Sequence, residues 1–189
     1  MPALLFIFAV IAVIIVVVVW IHNTIIRHFN ATIRAWADVT TYERQKLKTL
    51  EELSPILEKY TDMEKSTLEK VTELRQNVMN LNVNHADVGQ LQKIETLSKE
   101  LMRSLNVVIE NYPELKANTL YIKMMDEIDE QNENVAAGIT IFNRNVEAFN
   151  NYIQVFPNHL INTSFTKKKT IRPFKDNTAA QSFDYRPNF

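Results

Sequence analysis

Five carboxylates crowd into "DEIDEQNE": Asp126, Glu127, Asp129, Glu130 and Glu133. Oxygen-only donors of this kind suit a hard divalent cation such as Mg²⁺ or Ca²⁺. On a helix, Asp126, Asp129, Glu130 and Glu133 fall on neighbouring ridges. A divalent-cation-binding sensor, or a bundle enzyme using the run 126–133, is therefore one reading. A fully charged helical turn is more commonly a solvated face, and an acidic docking patch is a third option. No other residues strengthen the catalytic case. The four histidines, His22, His28, His85 and His159, include no His-x-x-x-His pair. None has a Glu three residues before it, as a di-iron bundle requires. Two glycines, Gly89 and Gly138, cannot make a phosphate-cradling loop. The absence of cysteine excludes disulfides, thiolate metal sites and a cysteine nucleophile.

The second chemical candidate is "TKKKTIRPFK", residues 166–175. Beside a membrane such a segment draws anionic lipid, at about 1 kcal/mol per cation near the surface. The alternative is a soluble, unstructured tail. Against that stand its aromatic members, Phe165, Phe174, Phe183, Tyr185 and Phe189, since a purely solvating segment is poor in aromatics. From Pro157 onward, Lys167, Lys168, Lys169, Arg172, Lys175 and Arg186 face only Asp176 and Asp184, a balance of +4 in a chain of net charge −1. An acidic body with a basic tail is not a nucleic-acid-binding stripe.

The elements that carry these residues are helical. The chain is 189 residues with 2 Gly and 6 Pro, too little turn chemistry for a sheet protein. Residues 3–21 contain no charge, and fifteen of the nineteen are Leu, Ile, Val or Phe. As a helix they rise roughly 28 Å, close to the hydrocarbon thickness of a bilayer. Their insertion sums to roughly −5 to −9 kcal/mol. No Lys or Arg precedes the run, and it continues past any cleavage site near Ala12, so an uncleaved anchor is expected rather than a signal peptide. Arg27, Arg34, Lys46 and Lys48 follow the exit, which by the positive-inside rule puts the N-terminus outside and the body in the cytoplasm. His22 and His28 at that exit need no function there.

Beyond the anchor, apolar residues step at helical spacing. Ile26, Phe29, Ile33, Trp36, Leu47, Leu50 and Leu57 continue the first helix, with Thr40 and Glu43 holding the stripe where packing should be weaker. Pro55 marks either a kink or a new helix. Thr61 with Glu64, and Asp87 with Gln90, fit capping boxes. Val71, Leu74, Val78 and Leu81 form the next stripe, and the polar run at 82–89 is the loop after it. Leu91, Ile94, Ser98, Leu101, Leu105, Val108 and Tyr112 form another, stopped by Pro113. The last helix, Asn118 to Val155, is the longest. Tyr121, Met125, Ile128, Asn132, Val135, Ile139, Phe142, Val146, Phe149, Ile153 and Phe156 step by four and three without a break. One such stripe is not stable alone and must lie against other helices. Asn132, its polar member, reads as a register selector or as a ligand contact.

"AWADV", "YTDMEKSTLEKVTELR", "YPELKAN" and "ENVAAGITIFNRNVEAFNNYIQVFPNHLI" resemble the LemA family of membrane-anchored helical proteins. The Asn-rich "FNRNVEAFNNYI", the "FP" that follows and the ending "IRPFKDNTAAQSFDYRPNF" are the most distinctive parts. Where the family usually carries "DLIPNLV", this chain has "KLKTLEELSPIL", with Lys48, Glu51 and Glu52. The resemblance implies an N-terminal transmembrane helix followed by an antiparallel bundle, in a family with one member tied to magnetosome membrane formation. The expected organisation is an anchor over 1–25, a bundle over 26–156 and a basic, mostly irregular tail over 157–189. The expected function is a non-enzymatic, single-pass scaffold or adaptor at a bacterial cell membrane or internal membrane. No catalytic, cofactor-binding or metal residue is assigned, and no small-molecule substrate is evident. Membrane lipid, other membrane-associated proteins and a second copy of the chain are the expected partners, and nucleic acid is not.

Overall fold

The computed structural model describes residues 1–60 and 65–175, and every element among them is helical. α1 (Pro2–Tyr60) is a single helix of 59 residues. It is followed by α2 (Lys65–Met79), α3 (Val88–Asn111), a short α4 (Pro113–Lys116), α5 (Thr119–Gln154), a short α6 (Asn158–Ile161) and a π-helical turn (Asn162–Thr166). α1 passes from the apolar run into the bundle without interruption and carries Pro55 inside it, so this proline starts no new helix. The Thr61–Glu64 box lies outside the described residues. At the start of α3, Asp87 accepts from the Gln90 backbone N–H as expected. The Gln90 side chain does not reach back; its Nε2 donates to the Asn77 carbonyl and Oδ1, tying α3 to α2.

Side-chain pairings fix the order of the bundle. Trp36 faces Phe142 and Phe29 faces Phe149, so α5 runs antiparallel to α1. Arg75 reaches Glu51 and Trp36 Nε1 donates to the Asn82 carbonyl, so α2 also runs back along α1. Lys93 pairs with Glu73 and Lys70 Nζ donates to Ser104, so α3 runs antiparallel to α2. The result is an up-down-up-down bundle whose core runs from Trp36 and Phe142 through Leu53, Leu74, Leu91, Ile94 and Leu101.

The stripe of α5 is buried at Tyr121, Ile128, Val135, Phe142, Val146, Phe149 and Ile153. Phe156 is not: it lies past the end of α5 and is 81% exposed. Two α1 residues that sequence reading left to the anchor, Ile21 and Ile25, are buried against Phe149 and Ile153. Ile21, the last residue of the apolar run, is thus protein core, whereas side chains from Leu4 to Val17 and again Val19 and Trp20 are bare. Thr40 and Glu43 do not loosen the packing as expected, since both are fully buried. Thr40 Oγ1 donates to the Trp36 carbonyl one turn earlier, which removes the cost of burying its hydroxyl.

The α2–α3 loop joins α1 at Trp36, and below that level only α1 and α5 continue toward the apolar run. There α6 and the π-helical turn take the place of the missing pair, with Ile161 and Ile171 packed on the Ile21–Phe149 cluster.

Candidate functional site

α3 does not pack closely on α5. Between them lies a cleft of about 590 Å³. Glu95, Ser98, Lys99, Met102 and Arg103 line it from α3, Asn132, Val135, Ala136, Ile139 and Asn143 from α5, and Phe174 closes one end. Each wall follows from helical spacing: residues three and four apart share a face. Asn132, the polar member of the α5 stripe, is half-buried on this wall. Ser98, which fills an apolar place in the α3 stripe, is 8% exposed and its Oγ has no hydrogen-bond partner among the described residues.

A charge cluster lies beside the cleft. Lys46 and Glu43, one turn apart on α1, are 2% and 0% exposed. Lys46 Nζ donates to Glu43 Oε1 at 3.1 Å and lies 4.0 Å from Glu95 of the cleft wall. Nζ is also 3.1 Å from Oε2, but that oxygen has no hydrogen-bond partner of acceptable geometry among the described residues. Burial pushes the Glu43 carboxyl up to about 7; the neighbouring Glu95 charge adds to this and Lys46 opposes it. Such a cluster is costly to bury and costlier to break. Sequence reading noticed only the gap at Glu43. The missed signal was Lys46, placed three residues on so that its ammonium meets that carboxylate.

The C-terminal segment is clasped along α5. Asn150 Oδ1 accepts from Ile171 N–H at 2.9 Å while its Nδ2 donates to the Ile171 carbonyl at 2.8 Å. Asn143 does the same to Phe174, at 2.8 and 2.9 Å. Asn162 repeats the arrangement on Lys168. One heptad of helix is about 10.5 Å, and three residues of extended chain span about 10 Å. The two asparagines therefore match two residues three apart. Gln92 Nε2 completes the strap by donating to the Lys175 carbonyl from α3. The part of the tail up to residue 175 is thus docked by its backbone, and the Asn-rich motif in α5 is what docks it.

The other candidates are not brought together. Asp126, Glu127, Asp129, Glu130 and Glu133 are all exposed. Glu127 accepts from Thr49 Oγ1. Among the described residues no group of three or more metal-binding side chains occurs. His28 stacks near Tyr152 at the base, while His85 lies in the α2–α3 loop and His159 in α6. Lys168 sits over the Phe29 ring at 3.7 Å, and Lys167 and Lys169 are exposed beside it.

An apolar helix of membrane-spanning length, continued as the spine of an up-down-up-down bundle with a strapped C-terminal segment, defines an all-helical protein whose first helix is long and apolar enough to cross a membrane. The chain belongs to the LemA family, whose model matches residues 35–185. The match begins where the full bundle begins and takes in the strap. Protein LemA of Metamycoplasma hominis is 29% identical over 136 residues, which cover 71% of this chain and 60% of that relative.

Proposed function

We propose that this protein is a non-enzymatic scaffold, held at a bacterial membrane by the start of α1, that receives a segment of another membrane-associated protein in the cleft between α3 and α5. The cleft is the observation that carries the reading. Met102, Val135 and Ile139 of its lining offer apolar surface, and Glu95 and Arg103 offer opposite charges. An amphipathic helix or loop fits such a groove through its apolar anchors, with charges at the rim setting register. The continuous α1 holds the cleft at a fixed height. From Ile21 to Lys46 the helix rises about 38 Å. Arg27 and Arg34 at the exit support a cytoplasmic body, by the positive-inside rule.

A photo-crosslinking residue at Ala136, on the cleft wall, tests this in intact membranes, with one at the exposed Leu120 as control. Discrete protein adducts from Ala136 that disappear with Ile139→Glu, and none from Leu120, support the scaffold. Identical adducts from both positions, or adducts indifferent to Ile139→Glu, refute it. Protease added outside spheroplasts should spare the body, and rapid digestion there reverses the topology.

A further inference from the structure

The membrane-proximal end of the bundle has a composition that the rest of the molecule lacks. Residues 1–37 and 148–175 contain no Asp or Glu at all. They hold Arg27, Arg34, Lys167, Lys168, Lys169, Arg172 and Lys175. The folded chain gathers most of these cations at one end. The pairing of α1 with α5 fixes the height of that end. Phe142 faces Trp36, and Phe149, seven residues on, faces Phe29, seven residues back. The next equal step brings Phe156 level with His22, one residue past the uncharged run. From there the chain turns through α6 and the π-helical turn, and Lys168 returns it to the level of Phe29.

This cap carries exposed apolar side chains. Val155 is 52% exposed, Phe156 81%, Leu160 54% and Phe165 63%. Against water alone such a group is unfavourable, and its neighbours Lys167 and Lys169 are exposed cations. Apolar side chains flanked by lysines are the composition of a surface that sits at the headgroup–acyl boundary, the former buried about 5–10 Å and the latter meeting anionic headgroups.

We propose that residues 155–169 form a lipid-contacting foot that lies in the headgroup layer of an anionic leaflet, beside the point where α1 leaves the bilayer. The proposal rests on the reading of α1 as a membrane anchor. Phe156, Leu160 and Phe165 enter the boundary region, and Lys167 and Lys169 engage lipid phosphates. The foot gives the protein a second attachment to the membrane, so that the bundle is braced rather than hung from one helix.

The absence of cysteine allows single labelled cysteines in the full-length chain, reconstituted into phosphatidylcholine–phosphatidylglycerol vesicles. A fluorophore is placed at Ser164, exposed within the cap, at Val107, exposed on α3 at the far end, and at Val13 in the apolar run. The Ser164 label should be quenched by nitroxide-bearing lipid and shielded from aqueous iodide, and the Val107 label the reverse. Phe156→Ser, Leu160→Ser and Phe165→Ser together should return the Ser164 label to iodide. Lys167→Glu with Lys169→Glu should weaken the lipid quenching. Two outcomes overturn the foot while leaving the anchor standing, provided the Val13 label remains lipid-quenched. One is a Ser164 label as open to iodide as Val107; the other is shielding that the triple serine variant leaves intact. An iodide-accessible Val13 label removes the anchor, and the foot with it.

Discussion

Asn150 grips Ile171 by both ends of its amide, accepting from the backbone N–H at 2.9 Å and donating to the carbonyl at 2.8 Å. With Asn143 doing the same to Phe174, four hydrogen bonds hold the strap to α5. At about 1 kcal/mol each, their joint loss costs about 4 kcal/mol of local docking. Asn143→Ala with Asn150→Ala should expose Lys169 to trypsin while the bundle stays helical. Limited proteolysis followed by mass measurement reads this directly. Asp at either position keeps the acceptor but loses the donor, so it should release the strap partially.

The buried carboxyl of Glu43 makes stability depend on pH in an unusual direction. Its folded-state value of about 7 lies above the ordinary 4.5, so the folded protein holds this proton more tightly than the unfolded chain. Stability from this group is therefore fully present below about pH 4.5 and declines as pH rises through about 7, by up to about 3 kcal/mol. Glu43→Gln, which cannot ionise, should flatten that part of the profile. Thermal melts of both proteins in detergent between pH 5 and 8 give the comparison, and a wild-type slope unchanged in the variant contradicts the assignment.

Phe142 and Phe149 are fully buried one heptad apart on α5. Truncating either to Ala should cost about 3–5 kcal/mol through lost transfer energy and the cavity left behind. The double variant should leave a domain of ordinary stability, about 5–15 kcal/mol, unfolded or nearly so. Glu130→Gln with Glu133→Gln, on the exposed face, should leave the melting curve in place. The test calls for the full-length chain, since removing the first 29 residues would take away Ile21, Ile25 and Phe29, against which Phe149 packs.

Gly138 of α5 lies directly against α1. A Cβ there would come within 3.1 Å of Val39 Cγ2 and 3.4 Å of the Tyr42 ring. Gly138→Ala should be nearly neutral, because about 1 kcal/mol of helix propensity offsets the crowding. Gly138→Leu should destabilise by about 1–3 kcal/mol or more, since Val39 is fully buried and cannot move aside. Chemical denaturation of the two variants would separate these effects.

Val13→Arg with Val16→Arg should cost about 5–7 kcal/mol, comparable with the whole insertion energy of the span. The protein should then leave the membrane fraction. Persistence in the pellet after a carbonate wash shows that the anchor lies elsewhere.

Much of the helical architecture was legible because burial imposes a period, and α5 displays that period across ten positions. Four features were not legible, each for a physical reason. Ile21 and Ile25 look the same in sequence whether lipid or Phe149 covers them. Glu43 and Lys46 interrupt an apolar pattern, yet are hydrogen-bonded to each other inside it, so polarity alone suggested weak packing. The strap is held through its backbone as well as by Ile171 and Phe174, and two apolar contacts in residues 167–175 make no helical period; the signal lay instead in the seven-residue spacing of Asn143 and Asn150. The cleft was hidden because Asn132 and Ser98 read equally well as register devices within packed stripes. Only the separation of α3 from α5 distinguishes the two.

Because α1 runs as one helix from the apolar run into the bundle, with that run in a bilayer its angle to the membrane normal would also be the bundle's angle. Transmembrane helices adjust tilt when hydrocarbon thickness changes. A lean of about 10° pivoting at His22 carries the level of Lys46 sideways by about 6 Å over a lever of about 36 Å. With the apolar run in a bilayer, hydrocarbon thickness would thus set where the cleft stands over the membrane plane.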